Sequence, residues 1–278
     1  MTGPTERCAV TVSRRERGLR CRIRRLLRPR FAGPAVATVM LMVLTVSAAS
    51  AAAAGDGDVG ILLRMVDWFS NPENWQGSDG IPVRSAEHVY YVLVSMAVAM
   101  LIALPLGIGL GHLGRGGLLA INVSNIGRAV PEFGVVILVF LLVGYGDTPI
   151  LVALVALGVP PMVTNSYVGM RSVDPDIRQA ARGVGMTGWQ SLWQVELPIA
   201  LPVIMAGIRT SAVQVMSTAT LAAYVGLGGL GRYLIDGLAT REMTQVVGGA
   251  IVVALLAIAI EAILAIVQKQ VVSEGVSG

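Results

Sequence analysis

A few ionisable and amide side chains sit in stretches that are otherwise apolar. Arg128 and Glu132 flank Pro131, Asn165 follows Pro160-Pro161, and Arg209 precedes Gln214, Ser217 and Thr218. A charge at the centre of a membrane helix costs on the order of 2.5–3.5 kcal/mol, so each such group must face protein or water. Arg128 and Glu132 are four residues apart and share a helix face. Pro131 removes a backbone donor between them and breaks the helix, which creates a polar pocket. Two readings of this pair stay open: a structural ion pair, or a pathway lining in which Glu132 is available to a passing cation. Arg209 is open in the same way, between a subunit interface and the pathway. Asn165 either hydrogen-bonds a kinked neighbour or lines the pathway, and Gln214 joins the pathway candidates. Glu261, nearer a helix end, is expected to snorkel.

The remaining motifs exclude chemistry more than they supply it. Gly226, Gly228 and Gly231, with Gly229 between them, satisfy G-x-G-x-x-G. A dinucleotide site needs a strand before that motif and an acidic residue about 20 positions on, and neither is present. A flexible turn is one reading that remains. The sole lysine, Lys269, follows Gln268, so the chain has no phosphate-binding G-x-x-x-x-G-K loop. Any ATP must be hydrolysed on another chain. His88 and His112 are isolated in sequence, so no metal site is expected. Cys8 and Cys21 lack zinc-site spacing and read as reduced thiols. No G-x-S-x-G or H-E-x-x-H segment occurs, so the chain is not expected to be an enzyme.

The elements that must position these groups are membrane spans. Of 278 residues, 54% are hydrophobic and only 14% charged, and the mean hydropathy is +0.71. Six apolar stretches can be marked: 31–54, 89–113, 118–145, 149–170, 199–222 and 243–267. Each reaches the roughly 20 residues that cross a hydrocarbon core. Only helices satisfy their own backbone there, so the expected class is an all-α polytopic membrane protein.

The net charge of +4 divides into an Arg-rich tail over 1–30 with ten Arg and two Glu, and a remainder of net −4. The basic character therefore belongs to the tail, read as a solvated topology signal or as a contact with anionic lipid of the bilayer, and does not mark a nucleic-acid-binding face. With the N-terminus in the cytoplasm, fifteen Lys and Arg fall inside and four (Arg64, Arg84, Arg232, Arg241) outside. The stretch 31–54 reads as a retained transmembrane helix or a cleaved signal-like segment. An external segment covers 55–87, a transmembrane domain 88–268, and a cytoplasmic tail 269–278. No internal repeat is visible.

The longest cytoplasmic loop runs over 171–198. Asp174 is placed as an N-cap, with Pro175 at the first helical position. A short helix of small residues follows, and its shallow surface suits docking into a partner's groove. A second amphipathic turn carries Trp189, Leu192, Trp193 and Val195.

Here the residues resemble a known family. QAARGVG, nine further residues and then VELP match the EAA loop of ABC importer permeases. Gln179, Ala180, Ala181, Gly185, Val195, Leu197 and Pro198 occupy the loop's positions. Gln179 stands where that family usually has Glu, which changes any ionic contact there. The segments PVRSAEHVYYVLVS, NIGRAVP and STATLAAYVGLGGLGRYLIDGLATRE resemble the osmoprotectant permeases for glycine betaine, choline and carnitine, over roughly 81–268.

The resemblance implies a five-helix type I importer core, plus one extra N-terminal hydrophobic segment, in a bacterial cell membrane. It implies a second permease subunit, an ATP-binding subunit that carries ATP and Mg, and an exported substrate-binding protein. Gly226, Gly228, Gly229 and Gly231 would then form an external gate segment. The alternatives are the same architecture importing another small solute, such as an amino acid or a sulfur betaine, and an ion-coupled secondary transporter.

Overall fold

The structure is a computed structural model that describes residues 57–117, 122 and 131–272. The tail 1–30, the apolar stretch 31–54, Arg128 and the first half of the expected span 118–145 lie outside the described residues. The chain divides into a unit of residues 1–61 and a unit Leu62–Gly278. The membrane-length helices and the loops between them belong to the second unit.

Among the described residues every regular element is helical. In chain order these are α1 (Gly57–Ser70), a 3₁₀ turn (Pro72–Trp75), α2 (Ile81–Leu113), α3 (Glu132–Val143) and α4 (Asp147–Arg171). Then come α5 (Pro175–Gly183), α6 (Gly188–Ser191), a π turn (Leu192–Glu196), α7 (Leu197–Thr218) and a 3₁₀ stretch (Ala219–Val225). α8 (Gly231–Thr240) and α9 (Met243–Val271) complete the order. Four runs are long and apolar enough to cross a membrane: Ile81–Leu113, Asp147–Arg171, Gly188–Val225 and Met243–Val271. They match the marked stretches to within a few residues at most ends, except that α2 starts eight residues early and the run Gly188–Val225, marked as 199–222, continues back through the loop. α2 has 33 residues, about 50 Å at 1.5 Å per residue, so its ends project beyond a hydrocarbon core of about 30 Å. The external segment expected over 55–87 is helical in part, in α1 and the start of α2.

α4 is the centre of the bundle. Ala153, Leu154 and Met162 of α4 pack with Val92, Ala99 and Ala103 of α2 and with Ala200, Ile204, Ala212 and Val215 of α7. Lipid supplies no hydrophobic drive for this contact, so close fit must hold the helices together. A Cβ on Gly107 of α2 would stand 2.6 Å from Ser166 Cβ, and one on Gly207 of α7 would stand 2.6 Å from Asn165 Cβ. α9 is the opposite case. Leu255, Ile258, Ile263 and Ile266 are exposed, and its buried residues are Gly248 and Gly249 alone. Such an apolar face is suited to contact with lipid or with another membrane helix. A second small core joins Ile81, Leu230 and Tyr233 with Trp68 and Phe69.

Candidate coupling loop and transport pathway

The loop between α4 and α7 is built as its residues dictate. Asp174 Oδ1 accepts from Asp176 N–H at 2.8 Å, and Pro175 opens α5. The helix ends on paired backbone bonds: Met186 N–H donates to the Ala181 carbonyl (3.1 Å) and Gly185 N–H to the Arg182 carbonyl (3.0 Å). This closure requires a left-handed residue, and Gly185 has φ +85°. The four-residue step from Ala181 to Gly185 is therefore the geometry of a helix end. α6 follows behind a capping box between Thr187 and Gln190.

Gln179 and Ala180 are exposed, while Ala181 is turned inward. Val184 (77% exposed), Trp189 and Trp193 extend the open surface, and the two indoles meet edge-on with centroids 5.5 Å apart. Val195 and Leu197 are half-buried and Pro198 is exposed, at the join to α7.

One buried carboxylate fastens this loop, and sequence reasoning passed over it. Glu196 is 3% exposed. Its Oε1 accepts from Ser191 Oγ (3.0 Å), and its Oε2 from His112 Nδ1 (3.0 Å). Arg178 NH2 lies 3.4 Å from Oε2. The group thus ties α5, α6 and the end of α2 to the start of α7. His112 is not isolated, contrary to its place in the sequence. Neither is His88, which is fully buried and donates from Nε2 to the Met216 carbonyl at 2.9 Å.

The charges in the spans find partners that local spacing could not name. Arg209 pairs with Glu261 of α9, and its NH1 donates to Gln268 Oε1 at 2.9 Å. Glu261 is therefore held by a guanidinium, where snorkelling was expected. An open cleft of about 480 Å³ beside them is lined by Ala206, Arg209, Thr210, Val213 and Glu261. Asn165 donates to the Pro161 carbonyl at 2.8 Å, one turn back, and so bonds its own helix.

Pro131 caps α3, and Glu132 is its first residue. Glu132 accepts from Gln214 Nε2 (2.9 Å) and Thr218 Oγ1 (2.6 Å) of α7. Ala206, Thr210, Val213 and Ser217 are exposed at spacings of four, three and four, so they form one face of α7. Arg209 and Gln214 flank that face.

At the other end of α7 the glycine-rich segment is a closely packed turn. Gly226 (φ +80°) closes the 3₁₀ stretch, with Leu227 N–H donating to the Ala222 carbonyl at 3.1 Å. Gly229 N–H donates to Glu87 Oε2 at 2.7 Å, and Arg84 NH1 donates to the same oxygen at 2.9 Å. A Cβ on Gly228 would stand 2.2 Å from Glu87 Oε2, and one on Gly231 would stand 1.9 Å from the Thr220 carbonyl oxygen. Tyr233 of α8 donates to the Asp79 carbonyl, and burial pushes its phenol above the ordinary range despite the nearby Arg84.

A bundle of membrane-length helices with one capped, amphipathic loop beside it fits a polytopic membrane protein. Comparison with known proteins gives the particular kind. Residues 103–273 match the family described as binding-protein-dependent transport system inner membrane component. The chain is 36% identical over 195 residues to the glycine betaine/carnitine/choline transport system permease protein OpuCB of Bacillus subtilis, covering 70% of this chain and 90% of the relative. It is 36% identical over 180 residues to the osmoprotectant import permease protein OsmY of Salmonella typhimurium, covering 64% and 76%. Among solved structures, inward-facing forms of the MetNI methionine ABC transporter share the fold. One such match has a TM-score of 0.61 at 21% identity and covers 73% of this chain and all of that one. The chain belongs to the binding-protein-dependent transport family and is the permease component of an ABC importer, a multi-pass inner-membrane protein.

Proposed function

We propose that this permease imports quaternary-ammonium osmoprotectants such as glycine betaine, choline or carnitine. The observation that carries this reading is 36% identity across 70% of the chain to a permease named for those solutes. An exported binding protein delivers the solute, and a second permease subunit completes the pathway. A separate ATP-binding subunit hydrolyses ATP with Mg and drives alternating access. The test is uptake into proteoliposomes that hold the permease with its ATPase and binding protein. Labelled choline, carnitine or glycine betaine should accumulate with ATP, and methionine should not. Accumulation of methionine alone would assign the chain to another solute class.

The loop Pro175–Pro198 is the surface that receives the ATPase. Support comes from its exposed Gln179, Ala180, Val184, Trp189 and Trp193, carried on a doubly capped frame. Gly185→Arg would mix a surface change with left-handed backbone strain, whereas Val184 has φ −86° and tests the surface alone. Val184→Arg should leave protein level unchanged and reduce uptake and substrate-stimulated ATP hydrolysis at least about tenfold, as loss of an interface anchor does. Full uptake by Val184→Arg would move the docking surface elsewhere.

A further inference from the structure

We propose that Glu132, Phe133 and Tyr224 form a transient quaternary-ammonium site inside the translocation pathway of this chain. The site rests on the proposed import of quaternary ammoniums and names the residues that meet the solute after its binding protein releases it.

Glu132 and Phe133 are consecutive at the start of α3, so the carboxylate and the ring leave the backbone one peptide unit apart. The Phe133 and Tyr224 rings meet at 71° with centroids 5.0 Å apart. Both are half-exposed, at 46% and 54%, so the corner they make is open. Two rings at a steep angle offer two π faces to a cation that has no N–H to donate, and the attraction survives without hydrogen bonds.

Glu132 supplies the charge. Its bonds from Gln214 and Thr218 fix the carboxylate through neutral donors. Among the described residues no cationic side chain lies within ion-pair distance of it. Thr218 is 2% exposed, so one side of the carboxylate is anchored in the bundle. The exposed face of α7 bearing Thr210 and Ser217 runs toward this corner. Thr210 and Ser217 each bond back to their own helix, at the Ala206 and Val213 carbonyls, and the group here that needs water or protein beside it is the Glu132 carboxylate. The position suits a site that must release its occupant: three groups, open on one side, and no enclosing cage.

The experiment compares choline, a net cation, with glycine betaine, a zwitterion, in proteoliposomes holding the complete transporter. Glu132→Gln should lower kcat/KM for choline on the order of tenfold, and for glycine betaine by no more than about twofold, since the betaine brings its own carboxylate. Tyr224→Leu should lower both about tenfold, while Tyr224→Phe, which keeps the π face, should stay near the parent. Tyr224 is half-exposed, so its variants test the site even if Glu132→Gln lowers protein level. Parental kinetics for both solutes in Glu132→Gln and Tyr224→Leu would overturn the site while leaving the proposed function standing. Absence of uptake of any quaternary ammonium by the parent would overturn both. Arg128→Gln supplies a third arm. Retained choline uptake supports a carboxylate that serves the solute. Loss of uptake that Glu132→Gln restores would make Arg128 and Glu132 a structural pair and refute the site.

Discussion

The loops at the two ends of α7 start from the same backbone device and finish as opposite kinds of surface. Gly185 ends α5 and Gly226 ends the 3₁₀ stretch, each with a left-handed backbone and the same pair of closing hydrogen bonds. Beyond Gly185 the chain is open: nothing lies within 4 Å of a Cβ built there, and Val184, Trp189 and Trp193 face outward. Beyond Gly226 the chain is boxed in, with Gly228 against Glu87 and Gly231 against the Thr220 carbonyl. Each loop is held by one carboxylate. Glu196 receives side chains from three neighbouring helices, whereas Glu87 receives a backbone N–H and one guanidinium. A glycine is thus needed for its dihedral at one end, and for dihedral and space together at the other.

The largest effect should come from removing the carboxylate that holds the open loop. Glu196→Ala leaves Arg178 and His112 facing a buried gap, a loss of about 3–5 kcal/mol for a broken buried pair. Thermal unfolding of the purified transporter should shift down sharply, and uptake should vanish. A melting curve identical to the parent would show that the loop is held by something else.

A smaller loss is expected at the boxed turn. Gly231→Ala forces a methyl into the Thr220 carbonyl, at about 1–3 kcal/mol for overpacking. Gly183→Ala, on the open loop with nothing within 4 Å, should be neutral or slightly stabilising through helix propensity. Equal destabilisation by the two would erase the contrast between the ends.

Thr187→Ala should remove the capping box of α6 and cost about 1 kcal/mol, read in the same melting assay. No change in melting would mean that the cap does not hold α6.

The last test carries no stability change and concerns orientation. In a background without Cys8 and Cys21, a Cys at exposed Ser78 should react with an impermeant thiol reagent in intact cells. One at exposed Val184 should react only after permeabilisation. Labelling of Val184→Cys in sealed cells would reverse the assignment of sides.

The long apolar runs, the Asp174 cap and the loop's glycine were legible in the sequence, because hydropathy and capping are local properties. The polar partners were not. Arg209 and Glu261 are 52 residues apart, and Glu132 reaches Gln214 across 82. Spacing of four residues suggested Arg128 for Glu132, and Arg128 lies outside the described residues, whereas contacts between helices leave no periodic trace. Glu196 was hidden inside a motif whose fixed positions surround it. The packed state of Gly226–Gly231 escaped for a related reason: glycine reads as freedom in a sequence, and the walls that confine it belong to other helices.

The π turn at Leu192–Glu196 fixes an angular phase. One residue is looped out there relative to α-helical spacing, and each residue of an α-helix turns the chain by about 100°. Removing exposed Gln194 would let the run from Gly188 close as a plain α-helix. Trp189 and all of α5 would then swing roughly a quarter-turn around the axis of α7. The loop would keep its caps and its composition and would present a different azimuth to whatever pushes on it. The inserted residue therefore sets the direction in which the exposed face of the loop points.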